Sequence, residues 1–454
     1  MDDPPGSATP APQPLLRRID AIAIIVGIVV GAGIFKTPSL VAGIVGDPGW
    51  LIVAWALGAF VSLIGALCYA ELATTYPNAG GDYHFVTRAY GRHVSFLYAW
   101  ARATVINTGS IALLAFVFGD YMAQVVPLGA RSGALWAAII VVALTLINVA
   151  GLRASVRTQN LLTTVEVAGL LAIVIAGLLA PAVAGAGPTA FAATPALGAF
   201  GLAMVFVLLT YGGWNEAAYI SAELKGGRRA IVGTLIVSIA IIGTIYVAVN
   251  LALLHGLGFK GLAESKAAGT DVMDRAFGPF AARALGLFVA VAALTSINAT
   301  MIVGARTNYA MGRDWPALRF LGAWNVSRGV PVSAFLVQGA IALALIGFGA
   351  LQHDGFEAMV EFTAPVFWFF LLLVGISVFL LRAKDSAAER PFRVPLYPLT
   401  PLVFCAVSAY LLYSSVMYAA SKNAVHISLL VMAVGVVALV LTHRQGRAAV
   451  TSGD

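Results

Sequence analysis

Charge is what this sequence lacks most. Of 454 residues, only 27 are Lys or Arg and 20 are Asp or Glu, which makes 10% of the chain charged against 60% hydrophobic. A soluble domain carries about 25% charged and 45–50% apolar residues, so the composition excludes an ordinary cytosolic enzyme, and it excludes disorder too. Cysteine is nearly absent. Cys68 and Cys405 each lie in an apolar run, which argues against a disulfide framework or a paired-cysteine metal site. The six histidines are scattered, no HExxH occurs, and no two carboxylates pair within one apolar span, so a membrane-embedded enzyme finds no catalytic residues or metal ligands here. No GxxxxGK[ST] loop is present to bind a nucleotide, and no cofactor is expected.

What is present is a series of long charge-free intervals: 48–70, 132–152, 167–215, 230–259, 284–305, 329–353, 362–381, 394–421 and 423–443. Each is long enough for a membrane helix of about 20 residues, and 167–215 is long enough for two around Pro181. Two more spans carry one internal base each, Lys36 and Arg102. The reading is twelve spans, near 19–43, 49–73, 93–124, 133–152, 160–181, 197–223, 230–256, 280–310, 331–350, 357–381, 397–420 and 424–443. An even number puts both termini on one side. Nineteen of the 27 basic residues fall on that side and six opposite, so both termini are expected in the cytoplasm of an all-α, multi-pass inner-membrane protein. The net charge of +7 then faces lipid headgroups in short loops, not nucleic acid. Residues 1–16 are acidic and Pro-rich, without the basic start of a signal peptide, and read as a disordered cytoplasmic tail; 444–454 read as a second cytoplasmic tail.

Two glycine interruptions fall at similar depths inside apolar spans, Gly31-Ala32-Gly33 in the first and Gly212-Gly213 in the sixth. Breaking a helix in lipid frees N–H and C=O groups that only a cavity or its ligand can satisfy. After the first break, the N–H groups beyond Ala32 and Gly33 form a positive dipole end suited to a carboxylate. Before the breaks, carbonyls near Val29, Leu209, Thr210 and Gly212 are placed to receive an ammonium. A zwitterion fits both, and paired broken helices in matching places point to a secondary transporter with an occluded site over a channel.

These residues resemble the amino acid/polyamine/organocation superfamily, and in particular the bacterial branch similar to L-amino-acid transporters. The resemblance covers nearly the whole chain: GAGIF at 31–35, YAELA and PNAGGDYHF between Tyr69 and Phe85, TYGGWNEAAYISAELK from Thr210 to Lys225, SINAT from Ser296 leading to GARTNYAMGRDWP, and RPFRVPLYP from Arg390 to Pro398. It implies a five-plus-five inverted repeat, here 17–195 and 196–382, followed by two extra helices within 383–443. It also implies alternating-access transport of an amino acid or small amine. Ala32 and Gly33 match the family's carboxylate-binding backbone, and Val29, Leu209, Thr210 and Gly212 its amine-binding carbonyls. Leu209 stands where many relatives place a bulky gating aromatic, and Trp368 resembles the tenth-span aromatic that shapes the side-chain pocket, with simple packing as the alternative. The apolar lining favours a neutral amino acid; exchange, or a cationic amino acid or polyamine substrate, is the alternative.

One departure is a charge inversion. Where sodium-independent relatives often carry a Lys in the fifth span, this chain has Glu166. A carboxylate at membrane depth is costly and must face a cavity, find a partner or take a proton. Three roles stand open for it: coupling to protons, an ion pair with a base such as Arg102 or hydrogen bonds to Asn or Thr, and contact with a substrate amine. Glu216, just past the second break, lines the pocket or holds the unwound backbone. Glu71 and Glu223 are expected to pair with loop arginines in a cytoplasmic gate, and Asn298 to hydrogen-bond between helices near the site. Lys36 either neutralises an outer carboxylate or snorkels to the surface.

Overall fold

The computed structural model describes the backbone of residues 17–31, 33–78, 81–151, 156–181, 183, 190–216, 228–422 and 425–451. Within them the regular secondary structure is helical, apart from one isolated antiparallel bridge between Asn325 and Val330. The first span is α1 (Arg18–Val29) and α2 (Gly33–Val45), bent by 46° at the Gly31–Gly33 break. Next comes α3 (Pro48–Thr75), which starts where the chemistry says a helix should: Pro48 fills the first turn and Asp47 caps it, its Oδ1 accepting from Gly49 N at 2.8 Å and Trp50 N at 3.1 Å. The same carboxylate takes Phe191 N and Ala193 N from the loop ahead of the sixth span. Burial pushes the Asp47 carboxyl up, but four backbone donors outweigh it and hold the group below the usual carboxylate range.

The short helices α4 (Gly81–Tyr90) and α5 (Arg92–Ala101) lead through a π-helical turn, Arg102–Ile106, into α6 (Asn107–Val125). Then follow α7 (Ser132–Val149), α8 (Val156–Leu179) and α9 (Leu197–Thr210), with a 3-10 turn at Trp214–Glu216 after the second break. The remaining elements are α10 (Arg228–Glu264), non-helical at Gly258; the short α11 (Ala268–Phe277); α12 (Pro279–Asp314); α13 (Val332–Gly349); α14 (Gly355–Lys384); α15 (Leu399–Ser421) and α16 (Val425–Thr451). The short helices α4 and α11 have no counterpart in the charge spacing.

Among the described residues nine helices are long and apolar enough to cross a membrane, ten when α1 and α2 count as one broken span. The fifth and sixth expected spans appear as the shorter apolar stretches Thr163–Leu179 and Leu197–Thr210. Their outward faces are apolar too. Leu429, Leu430 and Val437 on α16 are 61%, 65% and 57% exposed, an arrangement that water penalises and lipid does not. The inner faces pack α6 on α12, α3 on α10, and α14 on α15, leaving the two broken helices in the middle.

Glu71 at the end of α3 is buried and holds three donors. Arg382 Nε and Nη2 reach its two oxygens at 2.7 and 2.6 Å, and Val394 N adds a third bond at 2.6 Å. Arg390 lies 3.8 Å away. The expected pairing with arginines is thus present at Glu71, while Glu223 lies outside the described residues.

Candidate functional site

Both breaks open onto one cavity of about 250 Å³ at the centre of the bundle. Its wall includes Val29 and Gly33 from the first break and Leu209, Thr210 and Gly212 from the second. Those five predicted residues are therefore brought together, and Ala32 lies outside the described residues. Gly213 lets the breaks approach. Its φ of +108° lies in the left-handed region, and a Cβ there would stand 2.8 Å from Ile28 Cγ2 at the end of α1. The cavity lies below the 300–1,000 Å³ typical of drug-sized sites, so it suits a small solute.

The predicted amine-binding carbonyls are already partly used. The hydroxyl of Tyr246, from α10, donates to Val29 O at 2.9 Å and lies 3.4 Å from Thr210 O, tying the end of α1 to the end of α9. Val29 O also accepts from Gly31 N at 2.7 Å, and Leu209 O from Gly212 N at 3.1 Å. Tyr246 is fully buried, edge-on to Trp55 at 5.6 Å and tilted against Tyr211 at 4.9 Å. Sequence reasoning missed this tyrosine, since only its hydrogen bonds distinguish it from a packing aromatic.

Around the breaks the wall is mixed. Phe206 and Phe356 lie in parallel at 6.5 Å, and Thr210 Oγ1 bonds Thr37 Oγ1 at 2.8 Å. Behind Phe356, Lys36 Nζ binds Asp120 at 3.0 Å and Asp354 at 3.2 Å, so the lysine neutralises carboxylates and does not snorkel outward. At the other end of the cavity Arg102 and Asp82 are both buried, 4.0 Å apart, with Tyr98 OH 2.9 Å from Arg102 Nη1 and 3.0 Å from Asp82. Asp82 stood inside the GGDYHF motif, but only the fold pairs it with Arg102. These two are the charged residues on the described wall, and they cancel.

Of the coupling candidates, Glu166 and Asn298 do not line this cavity. Glu166 is buried in α8 and receives a hydrogen bond from Thr295 of α12, so of the partners open to it the described residues show a threonine and not Arg102. Its Oε2, and the hydroxyls of Thr163 and Ser296 nearby on α8 and α12, are buried without partners. Asn298 accepts from Asn148 Nδ2 of α7 at 2.7 Å, an interhelical bond. Trp368 is 3% exposed and faces a smaller void beside Trp214 and Phe404, whereas its neighbours Phe367 and Phe370 take the cavity wall. The Glu216 side chain lies outside the described residues. No group of three or more His, Cys, Asp or Glu able to hold a metal ion occurs among the described residues.

A family model described as an amino acid permease matches residues 16–439. Among curated proteins, the chain is 27% identical over 406 residues to the b(0,+)-type amino acid transporter 1 of Mus musculus, covering 88% of this chain and 82% of that one. It is 27% identical over 409 residues to the mouse Asc-type amino acid transporter 1, covering 87% and 75%. Against the serine/threonine exchanger SteT of Bacillus subtilis (strain 168), identity is 26% over 398 residues, covering 87% and 89%. All are transporters, not enzymes.

Proposed function

The chain belongs to the amino acid permease family, and from that premise we propose that it is a secondary active transporter of a neutral amino acid, working by alternating access across the plasma membrane. The observation that carries this reading is the meeting of two helix breaks on one small cavity whose described wall has no net charge. The substrate carboxylate faces the free N–H groups at the start of α2, around Gly33, and its ammonium faces carbonyls at the end of α9, around Thr210 and Gly212. Oriented peptide dipoles do this at membrane depth without the cost of burying fixed charges. The paired Asp82 and Arg102 leave no unbalanced carboxylate on the described wall, which favours a neutral over a cationic substrate.

In this reading residues 17–195 and 196–382 are the two inverted halves, 383–443 adds two helices, and both termini are cytoplasmic. Alternating access moves α1 and α2 against the rest. Lys36, held by Asp120 and Asp354, closes one end of the cavity above Phe206 and Phe356. Glu166 carries the coupling proton: it is buried, neutralised by no base among the described residues, and hydrogen-bonded by Thr295, so its charged form is costly and its protonated form is accommodated.

The test is uptake into proteoliposomes. Alanine should accumulate under an inward proton gradient, and Glu166→Gln should abolish the accumulation while leaving exchange intact. Unchanged pH dependence in the variant removes the coupling role. A second reading, obligatory exchange, is favoured by the relative named as a serine/threonine exchanger. Uptake that requires amino acid inside the vesicle and ignores the proton gradient would select it.

A further inference from the structure

Residues 284–305 of α12 carry no charge, and at 1.5 Å per residue they extend about 33 Å, close to the thickness of a bilayer's hydrocarbon core. Arg306 is the first charge after them. It therefore stands at the boundary between acyl chains and headgroups, and α12 runs two turns further, to Asp314. Arg306, Tyr309 and Arg313 follow one another at helical spacing on one face, and both arginines are exposed. Among the described residues neither guanidinium has a hydrogen bond or an ion pair.

Other arginines at this end of the bundle use protein acceptors: Arg382 holds Glu71, Arg88 holds Asp385, and Arg92 donates to Asp314 O. The Asp314 carboxylate itself accepts from Tyr83 at 2.9 Å. The connection from α12 to α13 folds back onto the arginine face. Its Trp324 meets Tyr309 edge-on, ring centroids 5.2 Å apart, and stays 43% exposed. Phe320 and Val326 in the same connection are 55% and 87% exposed. Because it joins two membrane helices, this connection lies at the bilayer surface, where tryptophan partitions with its ring at headgroup level. Water penalises those apolar side chains, and the upper part of a lipid layer accepts them.

We propose that the end of α12 and the connection folded onto it form a binding site for an anionic phospholipid, its phosphate held by Arg306 and Arg313 beside the Trp324 ring. A guanidinium suits a phosphate because its planar fork pairs with two oxygens at once, and at the edge of the hydrocarbon it competes with little water. A zwitterionic headgroup offers the same phosphate but brings its own cation, so charge complementarity selects the anionic lipid. The site goes beyond the transport reading and does not need it. Its place in the fold still matters to the cavity, since α12 also carries Ser296, Ala299, Thr300 and Val303 on the cavity wall.

Native mass spectrometry of the full chain in neutral detergent tests the site, with phosphatidylglycerol and phosphatidylcholine of identical acyl chains as the probes. Each arginine near an anionic headgroup is worth about fivefold in binding, so the Kd for phosphatidylcholine should exceed that for phosphatidylglycerol by about 25-fold. Arg306→Gln with Arg313→Gln should bring the ratio to about one, and Arg306→Gln alone, the variant to read if the double one does not fold, to about five. Arg131→Gln with Lys260→Gln removes the same charge elsewhere and should leave the preference intact. A wild-type ratio within twofold of one overturns the proposal. So does a ratio that survives the double substitution, or one that the Arg131 and Lys260 changes abolish equally. A dimer that dissociates in the Arg306 and Arg313 variant, without any lipid preference in the wild type, would give this face to a second copy of the chain and overturn it as well.

Discussion

Tyr246→Phe removes one oxygen from the place where the two broken helices are tied together. The phenol ring is fully buried against Trp55 and Tyr211, and phenylalanine keeps that packing, so the change isolates the hydroxyl. Of its two contacts, the one to Val29 O at 2.9 Å is an ordinary hydrogen bond and the one to Thr210 O at 3.4 Å is long and weak. Val29 O keeps its second donor, Gly31 N, so its loss leaves no orphaned carbonyl at α1. The cost therefore sits within the net range of one hydrogen bond, about 1 kcal/mol, and not at the larger penalty of an unsatisfied buried group. Because the hydroxyl holds the two substrate-facing ends in register, that energy should appear in binding: KM for the transported amino acid should rise about fivefold, with folding little changed. Initial-rate uptake over a substrate series measures it, alongside thermal unfolding in detergent. A KM within twofold of wild type, at equal thermal stability, would refute the idea that Tyr246 sets the geometry of the break.

Three further perturbations read the scaffold. Asp47→Ala removes a helix cap together with the clasp on Phe191 and Ala193, and should lower stability by about 2 kcal/mol in a denaturant titration. Since the folded protein holds this carboxyl below its unfolded value of about 3.9, the Asp47 contribution is present above that pH and is lost as pH falls through the lower folded value; the wild-type advantage over Asp47→Ala should shrink at acid pH, and an advantage that grew there would contradict the sign. Glu71→Ala strands the guanidinium groups of Arg382 and Arg390 and should destabilise by about 3–5 kcal/mol, more than Glu71→Gln, which keeps an acceptor; equal melting temperatures for the two variants would count against a charge lock. Lys36→Met leaves Asp120 and Asp354 facing each other without their shared cation, so a cysteine placed at Leu209 should react several-fold faster with a membrane-impermeant thiol reagent added outside, and an unchanged rate would remove Lys36 from the closure.

The crossings were legible because lipid imposes a length and forbids charge, so the intervals between ionisable residues already mark α3, α7 and α13 to within about five residues. The breaks were legible for a related reason. Glycine at 31, 33, 212 and 213 is a backbone property, and the backbone opens where those residues stand. What could not be read is rotation about each helix axis. Adjacent residues on a helix point about 100° apart, so the run Phe367, Trp368, Phe369 and Phe370 gives four large aromatics and no way to choose among them. The fold turns Phe367 and Phe370 to the cavity and Trp368 to the neighbouring void. The same uncertainty covers partners. Arg102 was visible as an intramembrane base, and Glu166 as an acid without one, yet the choice of Asp82 for the first and Thr295 for the second depends on which faces of α4, α6, α8 and α12 meet. The π-turn at Arg102–Ile106 compounds this, because it shifts the register of the rest of α6 by one residue and sends Asn107 to a wall that uninterrupted helical periodicity would not assign it. In a membrane bundle, apolar pattern is spent on lipid-facing and core-facing surfaces alike, so periodicity cannot separate the two. Direction has to be inferred from the few polar side chains instead, and in this chain the one that settles it at the breaks, Tyr246, is a single residue inside a long apolar run.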